Sequence, residues 1–319
     1  MKKGQKTMLG MTWMSYLGSA YGCLKQAGMW DGGIHELFGL TGMGFHFIMH
    51  ESLCPSGPTV YNWLEEHFEM LDRIGVYTRQ EFVFKASATN TFDLARESAT
   101  GMIQQSIEAG KPVITWGPTH IAEFGIIYGF DSQDRVFFVE DCMPEEPDPL
   151  LYDNLGLSDV PIFYVQYLVD KTDFNYDDSV LNALKFGLNY WKSKVILSPK
   201  YTSGKMAYEA IINGLEKTDY DPFGLSYCVN VYSDMKTNMM KFFTQIAKKE
   251  KFSFLVPVLD QYQQVVDAFA QAVKWAPFKG PTGEYHYTDE AINGLIRSMK
   301  TAMESEEKFM QIVSQNIEQ

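Results

Sequence analysis

The sequence contains little cysteine for its length. Only four cysteines occur in 319 residues, and no two of them have the CxxC spacing of a zinc ribbon or a redox motif. Small secreted domains that depend on disulfides are far richer in cysteine, and the paired cysteines of a structural zinc site lie close together in sequence. The composition therefore excludes a disulfide framework and a cysteine-based zinc site, and it predicts reduced thiols in a cytoplasmic protein.

Positive charge is also scarce. Lysine and arginine number 27 against 40 acidic residues, and nearly all of the net charge of -13 comes from residues 1–170. Proteins that bind nucleic acid need clustered basic residues to neutralise phosphates, so we expect no nucleic-acid partner. An acidic first half favours cationic or amine-bearing ligands, although acidity also serves solubility alone.

Long hydrophobic runs are absent from the sequence. No window approaches the roughly 20 apolar residues that a membrane-spanning helix needs. The N-terminal stretch MKKGQKTMLGMTWM is basic at its start, but neither a long apolar core nor a small-residue cleavage site follows. We therefore predict no membrane span and no signal peptide.

The hydrophobic pattern changes character near residue 172. Before it, helical periodicity over 15–27, 58–74 and 92–109 is followed by short β-rich runs at 112–116, 124–130, 136–141 and 162–169. After it, the period is helical over 179–193, 203–217, 228–250, 257–275 and 288–314. The sequence predicts an α+β fold, with helices packed on an antiparallel sheet in residues 1–172 and an all-helical domain in residues 173–319.

The segment 36–63 carries the densest set of chemical groups. It contains three glycines, two histidines four residues apart, an acid and a thiol: Gly39, Gly42, Gly44, His46, His50, Glu51 and Cys54. Glycines are often kept where the backbone turns tightly or approaches a ligand, so we predict that this segment faces a ligand. The order H-x-x-x-H-E lacks the HExxH arrangement, and GLTGMG lacks the lysine of a phosphate loop. Histidines that line an apolar groove are the simpler interpretation, and no metal is predicted.

Residues 10–170 resemble the papain-like fold of double-glycine-leader peptidases and of the N-terminal domain of the butirosin biosynthesis protein H family. The resemblance rests on YGCLKQAG before ELFGLTGMGF, and on GKPVITWGPTHIAEFGIIYGFDSQDRVFFVEDC. These families place a nucleophilic cysteine at the start of the first helix, a histidine base before a "GYD" strand and an acid after the next strand. The resemblance places these roles at Ser15, Glu123 and Asp141.

This mapping replaces Cys-His-Asp by Ser-Glu-Asp. A carboxylate does not readily deprotonate an unactivated serine because the two pKa values lie far apart, so the ordinary thiol-protease mechanism is not expected. Three other groups remain open. Cys54 could pair with His50 and His46, His120 could reach the position of Glu123 through a β-bulge, and Cys23 is better explained as a core thiol.

Two functions follow from these observations. The first is acyl-transfer or amide-bond chemistry of the butirosin-H type on a small molecule or peptide, with no cofactor. The second is a papain-like scaffold that has lost its nucleophile and binds a small amine-containing ligand, because Glu123 at the start of an apolar strand needs a partner. Tyr208 in the helical half is a further candidate to face the ligand, and a homo-oligomer is compatible with the sequence.

Overall fold

The computed structural model describes residues 2–3, 12–84, 89–143, 146–192, 198–217 and 219–317, so most of the N-terminal stretch examined for a signal peptide lies outside the described residues. The elements follow in the order β1 (Lys2–Lys3), α1 (Ser15–Gln26), α2 (Ile34–Thr41), β2 (Ile48–His50), α3 (Trp63–Asp72), β3 (Val76–Phe84), α4 (Phe92–Glu108), β4 (Val113–Trp116), β5 (Phe124–Asp131), β6 (Val136–Glu140), β7 (Leu150–Leu151), β8 (Ile162–Lys171), α5 (Tyr176–Trp191), β9 (Tyr201–Ser203), α6 (Lys205–Lys217), α7 (Pro222–Ile246), α8 (Leu259–Trp275) and α9 (Asp289–Ile317). The fold is α+β as predicted, with a sheet-containing N-terminal region followed by a helical C-terminal region.

The chain divides into two compact units. One comprises residues 1–34 and 63–174, and the other comprises residues 35–62 and 175–319. The break after Phe174 lies close to the boundary predicted near residue 172. The grouping of residues 35–62 with the C-terminal unit was not anticipated, because the sequence pattern contains no signal for which distant part of the chain a segment will join.

The first unit is built on one antiparallel sheet. Its strands lie in the order β3-β8-β4-β5-β6-β7, and β1 pairs with β5. Helix α1 packs on β4 and β5, α3 packs on β3, and α4 packs on β4, β5 and β8. The core between α4 and the sheet is apolar: Phe92, Ala99, Ile103, Ile107, Val113, Ile127, Phe130, Phe137, Val139, Tyr152, Leu155, Phe163, Val165 and Tyr167.

Two predictions in the first unit were wrong in detail. Strand β3 was missed, because Arg79, Gln80 and Glu81 interrupt its apolar pattern, as is common in a strand at the edge of a sheet. Helix α3 begins at Trp63 instead of Pro58, because Pro58 belongs to a separate single turn of 3₁₀-helix, Gly57–Thr59, in the other unit.

The second unit contains α2, α5 to α9 and a two-stranded ribbon of β2 and β9. Helix α7 begins at Pro222, earlier than predicted, because Asp221 caps it by accepting a hydrogen bond from Gly224 N. The sequence DPFG was interpreted as a break, whereas proline is favoured in the first turn of a helix. Among the described helices of both units, none combines the length and the apolar character needed to cross a membrane.

The glycines of segment 36–63 serve packing in this unit. A Cβ atom on Gly39 would lie 2.2 Å from ring carbons of Phe242, and one on Gly44 would lie 1.9 Å from the Met239 sulfur. Gly42 has a φ of +80°, in the left-handed region that side chains disfavour. Regular structure occupies part of the segment, which contains most of α2 and all of β2.

We expect Gly39→Ala to destabilise the protein by about 1–3 kcal/mol, because a methyl group would force the Phe242 ring out of its packed position. Gly101 on α4 is the matched control, since beyond its chain neighbours and the backbone of its own helix no atom lies within 4 Å of the position of its Cβ. Gly101→Ala should stabilise the protein by about 0.5–1 kcal/mol through helix propensity. Urea denaturation measures both changes, and equal effects of the two substitutions would contradict the packing explanation.

Candidate functional site

Ser15 lies at the start of α1, where the resemblance places a nucleophile. It is the first helical residue, and its side chain is buried at 7% exposure. The Ser15 hydroxyl donates to Glu123 Oε2 at 2.5 Å and accepts from Phe124 N at 3.3 Å. Ser15 and Glu123 therefore form a direct pair, and the serine proton is directed to a carboxylate.

Glu123 is the last residue of a short loop that leads into β5. Gly117 N donates to Glu123 O at 2.8 Å, and Glu123 N donates to Ile121 O at 2.9 Å, so the loop is closed at its base. Gly117 has a φ of +55°, which glycine adopts without strain. The carboxylate is half-buried, and this backbone geometry holds it over the N-terminus of α1.

Asp141 lies at the same end of the sheet's strands as Glu123. Strands β5 and β6 are antiparallel, with Ile126 opposite Glu140, so the residue after β6 lies beside the start of β5. Asp141 is buried at 5% exposure and accepts from Thr119 Oγ1 at 2.6 Å and from Met143 N at 2.7 Å. Thr119 thus ties the loop before Glu123 to Asp141.

Cys142 follows Asp141 directly, and the negative charge at this end of the strands affects the pKa of its thiol. The residue as a whole is exposed, but its sulfur is shielded by neighbouring atoms, and the pKa of its thiol is raised to about 12. Removal of the sulfur from bulk water by the surrounding atoms is the main cause, and the negative charges of Glu123 and Asp141 add to it. The Thr119–Asp141 hydrogen bond and the pairing of β5 with β6 place both carboxylates at one end of these strands, and the charge of each disfavours the Cys142 thiolate.

The remaining candidates of this unit lie apart from that pair. His120 is exposed on the same loop, and the described part of the chain offers it no hydrogen-bond partner. Cys23 is fully buried, and burial, together with the charge of Glu140, raises the pKa of its thiol well above the ordinary value. A thiol that resists ionisation is a poor nucleophile, so Cys23 is a core residue, as expected.

His67 is a buried residue that the sequence analysis did not single out. Its ring stacks on Tyr16 with centroids 3.4 Å apart, and its Nδ1 lies 2.7 Å from the Tyr164 hydroxyl. The Tyr16 hydroxyl donates to Gln166 Oε1 at 3.0 Å. This network fixes the first turn of α1 directly beside Ser15. Its signal in the sequence was a histidine on the apolar face of α3.

In the second unit, Cys54 lies in a cluster of hydroxyl groups. Its Sγ is 2.9 Å from Ser56 Oγ and 4.0 Å from the Tyr201 hydroxyl. His50 Nδ1 accepts from Ser52 N, and the His50 ring contacts Tyr201 with centroids 4.7 Å apart. The pairing considered for His50 and Cys54 does not form, because His50 ends β2 and a turn through Leu53 follows, with a φ of +56°.

His46, His50 and Glu51 do not form one metal-binding group, although burial lowers the pKa of His50 and the charge of Glu51 acts in the opposite direction. His46 is fully buried among the rings of Tyr61, Phe186 and Tyr190, while Glu51 is exposed and lies 3.9 Å from Lys200 Nζ. Within the described ranges, no group of three or more histidine, cysteine or acidic side chains is arranged to hold a metal ion.

Tyr208 is fully buried and donates to Glu306 Oε2 at 2.5 Å. Glu306 also binds Lys236 Nζ, at 2.6 Å from Oε1, and both charged side chains are almost completely buried. Burial lowers the pKa of Lys236, while Glu306 acts in the opposite direction. Tyr208 on α6 therefore supports a buried ion pair between α7 and α9.

No model of a known protein family matches the chain. No curated protein is similar to it at a significant level.

Proposed function

We propose that the chain is a papain-like protein in which the cluster of Ser15, Glu123 and Asp141 binds the protonated amine of a small molecule without a covalent intermediate. The observation that carries this proposal is the 2.5 Å hydrogen bond from the Ser15 hydroxyl to the Glu123 carboxylate. An imidazole accepts this proton in a Ser-His-Asp triad. Here the acceptor is an acid whose ordinary pKa lies far below that of an alcohol, so the pair lacks a base that could activate the serine.

The same atoms suit an ammonium group. An ammonium ion has hydrogen-bond donors and no acceptor, and a carboxylate and a hydroxyl oxygen supply acceptors. Asp141 adds a second negative charge, and the net charge of -13 attracts cations from a distance. A neutral N-acyl group would leave the carboxylates without a charged partner, so the site should discriminate strongly between an amine and its amide.

The test is a panel of small primary amines, each with its N-acetyl derivative, titrated by calorimetry. Wild-type protein should bind at least one amine and not its acetylated partner. Glu123→Gln should weaken that binding at least about tenfold, because a neutral amide loses the charge-assisted hydrogen bond. Glu97→Gln on α4 is the matched control, since Glu97 is exposed and lies on another element. Equal binding of amines and amides would contradict the proposal.

Acyl transfer through Ser15 is the second candidate, and the position of Ser15 at the N-terminus of α1 favours it. Backbone N–H groups and the helix dipole stabilise negative charge there, and Phe124 N already donates to the Ser15 oxygen. A fluorophosphonate probe separates the two functions. Labelling of Ser15, located by peptide mass and lost in Ser15→Ala, would support acyl transfer and contradict the non-covalent proposal.

A further inference from the structure

An exposed apolar surface lies on α3 and β3 of the first unit. It consists of four large side chains with exposed fractions between 41% and 60%: Leu64, Phe68, Tyr77 and Phe84. The rings of Phe68 and Tyr77 contact each other edge to face. Leu64 and Phe68 lie beside Gln80 at the centre of β3, because the Gln80 amide, in the orientation that satisfies both groups, donates to Leu64 O and accepts from Phe68 N. We call these four residues the β3 surface.

Strand β3 lies at one edge of the sheet. It pairs with β8 from Val76 to Phe84, with a β-bulge between Tyr77 and Thr78, and within the described ranges no strand pairs with its other side. A long edge strand offers a row of backbone donors and acceptors to another strand, and proteins usually protect such an edge with charge, proline or a covering segment. Strand β3 has nine residues, no proline, and apolar residues at both ends, and its edge features are the β-bulge after Tyr77 and the charges of Arg79 and Glu81.

The sequence of β3 is complementary to itself. In an antiparallel pair, each residue lies opposite a residue whose backbone N–H and C=O groups also point towards the partner strand, or also point away from it. Two copies of one regular strand can therefore pair only in registers that place odd-numbered residues opposite odd-numbered residues and even-numbered opposite even-numbered. Strand β3 is regular from Thr78 onward, and the register centred on Gln80 pairs Thr78–Phe82 of the two copies. It places Arg79 opposite Glu81 of the second copy, and Thr78 opposite Phe82.

Arg79 is exposed and has no ion-pair partner in the part of the chain that the structure describes. Glu81 is only half-buried and accepts a hydrogen bond from Tyr167 at 2.9 Å. Opposite charges across an antiparallel pair stabilise it, and the two-fold symmetry of the register produces this pair twice. The same axis passes near Leu64 and Phe68, so it would bury the apolar side chains of both copies against each other.

We propose that two copies of this chain associate through β3, in the antiparallel register centred on Gln80, with Arg79 of each copy paired to Glu81 of the other. The β3 surface then becomes the apolar centre of the interface. Interfaces of this type join two sheets into one continuous sheet by addition of a strand at the edge. This proposal is independent of the candidate amine site.

The test is sedimentation equilibrium of the full chain over roughly 1–100 µM, which brackets a micromolar dissociation constant. Wild-type protein should be dimeric at the upper end. Arg79→Glu and Glu81→Arg should each weaken the dimer about tenfold or more, because each creates two like-charge contacts. The double variant R79E/E81R restores both pairs with reversed polarity, and it should restore the dimer.

Lys300→Glu on α9 is the control, since Lys300 is exposed in the other unit and its substitution changes the net charge by the same amount as Arg79→Glu. Its dimer should match that of the wild type. Thermal unfolding identifies any variant that fails to fold. A wild-type chain that is monomeric throughout, a dimer that Arg79→Glu leaves intact, or a folded double variant that stays monomeric would each overturn the proposal.

Discussion

Replacing Lys236 with methionine should lower the free energy of unfolding by about 3–5 kcal/mol. Lys236 is 2% exposed and binds both oxygens of Glu306, at 2.6 and 2.9 Å. Methionine has a similar volume, so the cost does not come from a cavity. It comes from Glu306, which would keep its charge in the core of the second unit without a cation beside it. Urea denaturation measures the change.

The double variant K236M/E306Q separates charge from packing. It removes both charges, and the glutamine oxygen can still accept from Tyr208. We expect it to recover most of the lost stability, because a buried ion pair contributes little beyond what neutral groups of the same shape provide. Arg135→Met is the control at an exposed ion pair, where the side chains of Arg135 and Asp153 are 62% and 70% exposed. It should cost less than about 1 kcal/mol. A Lys236→Met variant as stable as this control would contradict the account of the buried pair.

Replacing Glu123 with glutamine should accelerate alkylation of Cys142 about three- to tenfold at a pH near 9. Only the thiolate reacts, and the pKa of Cys142 is raised to about 12, so few molecules are ionised at that pH. The charge of Glu123 disfavours the thiolate. Its removal lowers the pKa of Cys142 towards the ordinary value, which increases the thiolate fraction, and the rate follows that fraction. Peptide mass spectrometry follows the rate at Cys142 alone.

The gain should vanish when both proteins are unfolded in urea, because the folded arrangement through which the charge of Glu123 acts on Cys142 is then lost. Asp141→Asn should act in the same direction, and Glu97→Gln should leave the rate unchanged. A Glu123→Gln variant that alkylates no faster than the wild type would show that Glu123 does not act on Cys142.

The elements of the fold could be predicted where one physical signal dominates. Strands β5 and β6 are apolar runs bounded by turn residues, and α1 ends before Gly28 with a left-handed φ of +66°. Strand β3 was missed because Arg79, Gln80 and Glu81 reflect an edge position, which is a property of the whole sheet. The start of α7 was missed because Pro222 marks a break and a first turn equally well.

The residues of the candidate site also divide into those that could be predicted from the sequence and those that could not. The resemblance located Ser15, Glu123 and Asp141, and the structure brings Ser15 and Glu123 into hydrogen-bond contact. Thr119 and Cys142 were not foreseen, because their roles arise from a loop conformation that no local pattern encodes. Lys236 was not foreseen as a buried charge, because its partner Glu306 lies 70 residues away in the sequence. Only the packing of α7 against other helices removes it from water.

The measurement that tests the central claim most directly is the modification rate of Cys142 during a titration with butylamine, with N-butylacetamide as the neutral control. A methanethiosulfonate reagent at a pH near 9, which converts the thiolate to a mixed disulfide and releases sulfinate, avoids reaction with the amine. If the carboxylates of Glu123 and Asp141 bind the ammonium group, its positive charge lowers the pKa of Cys142. The rate should then rise and saturate with butylamine, stay constant with the amide, and show no saturable rise in Glu123→Gln. A rate in the wild type that is indifferent to butylamine, or that changes equally with both compounds, would contradict amine binding at this site.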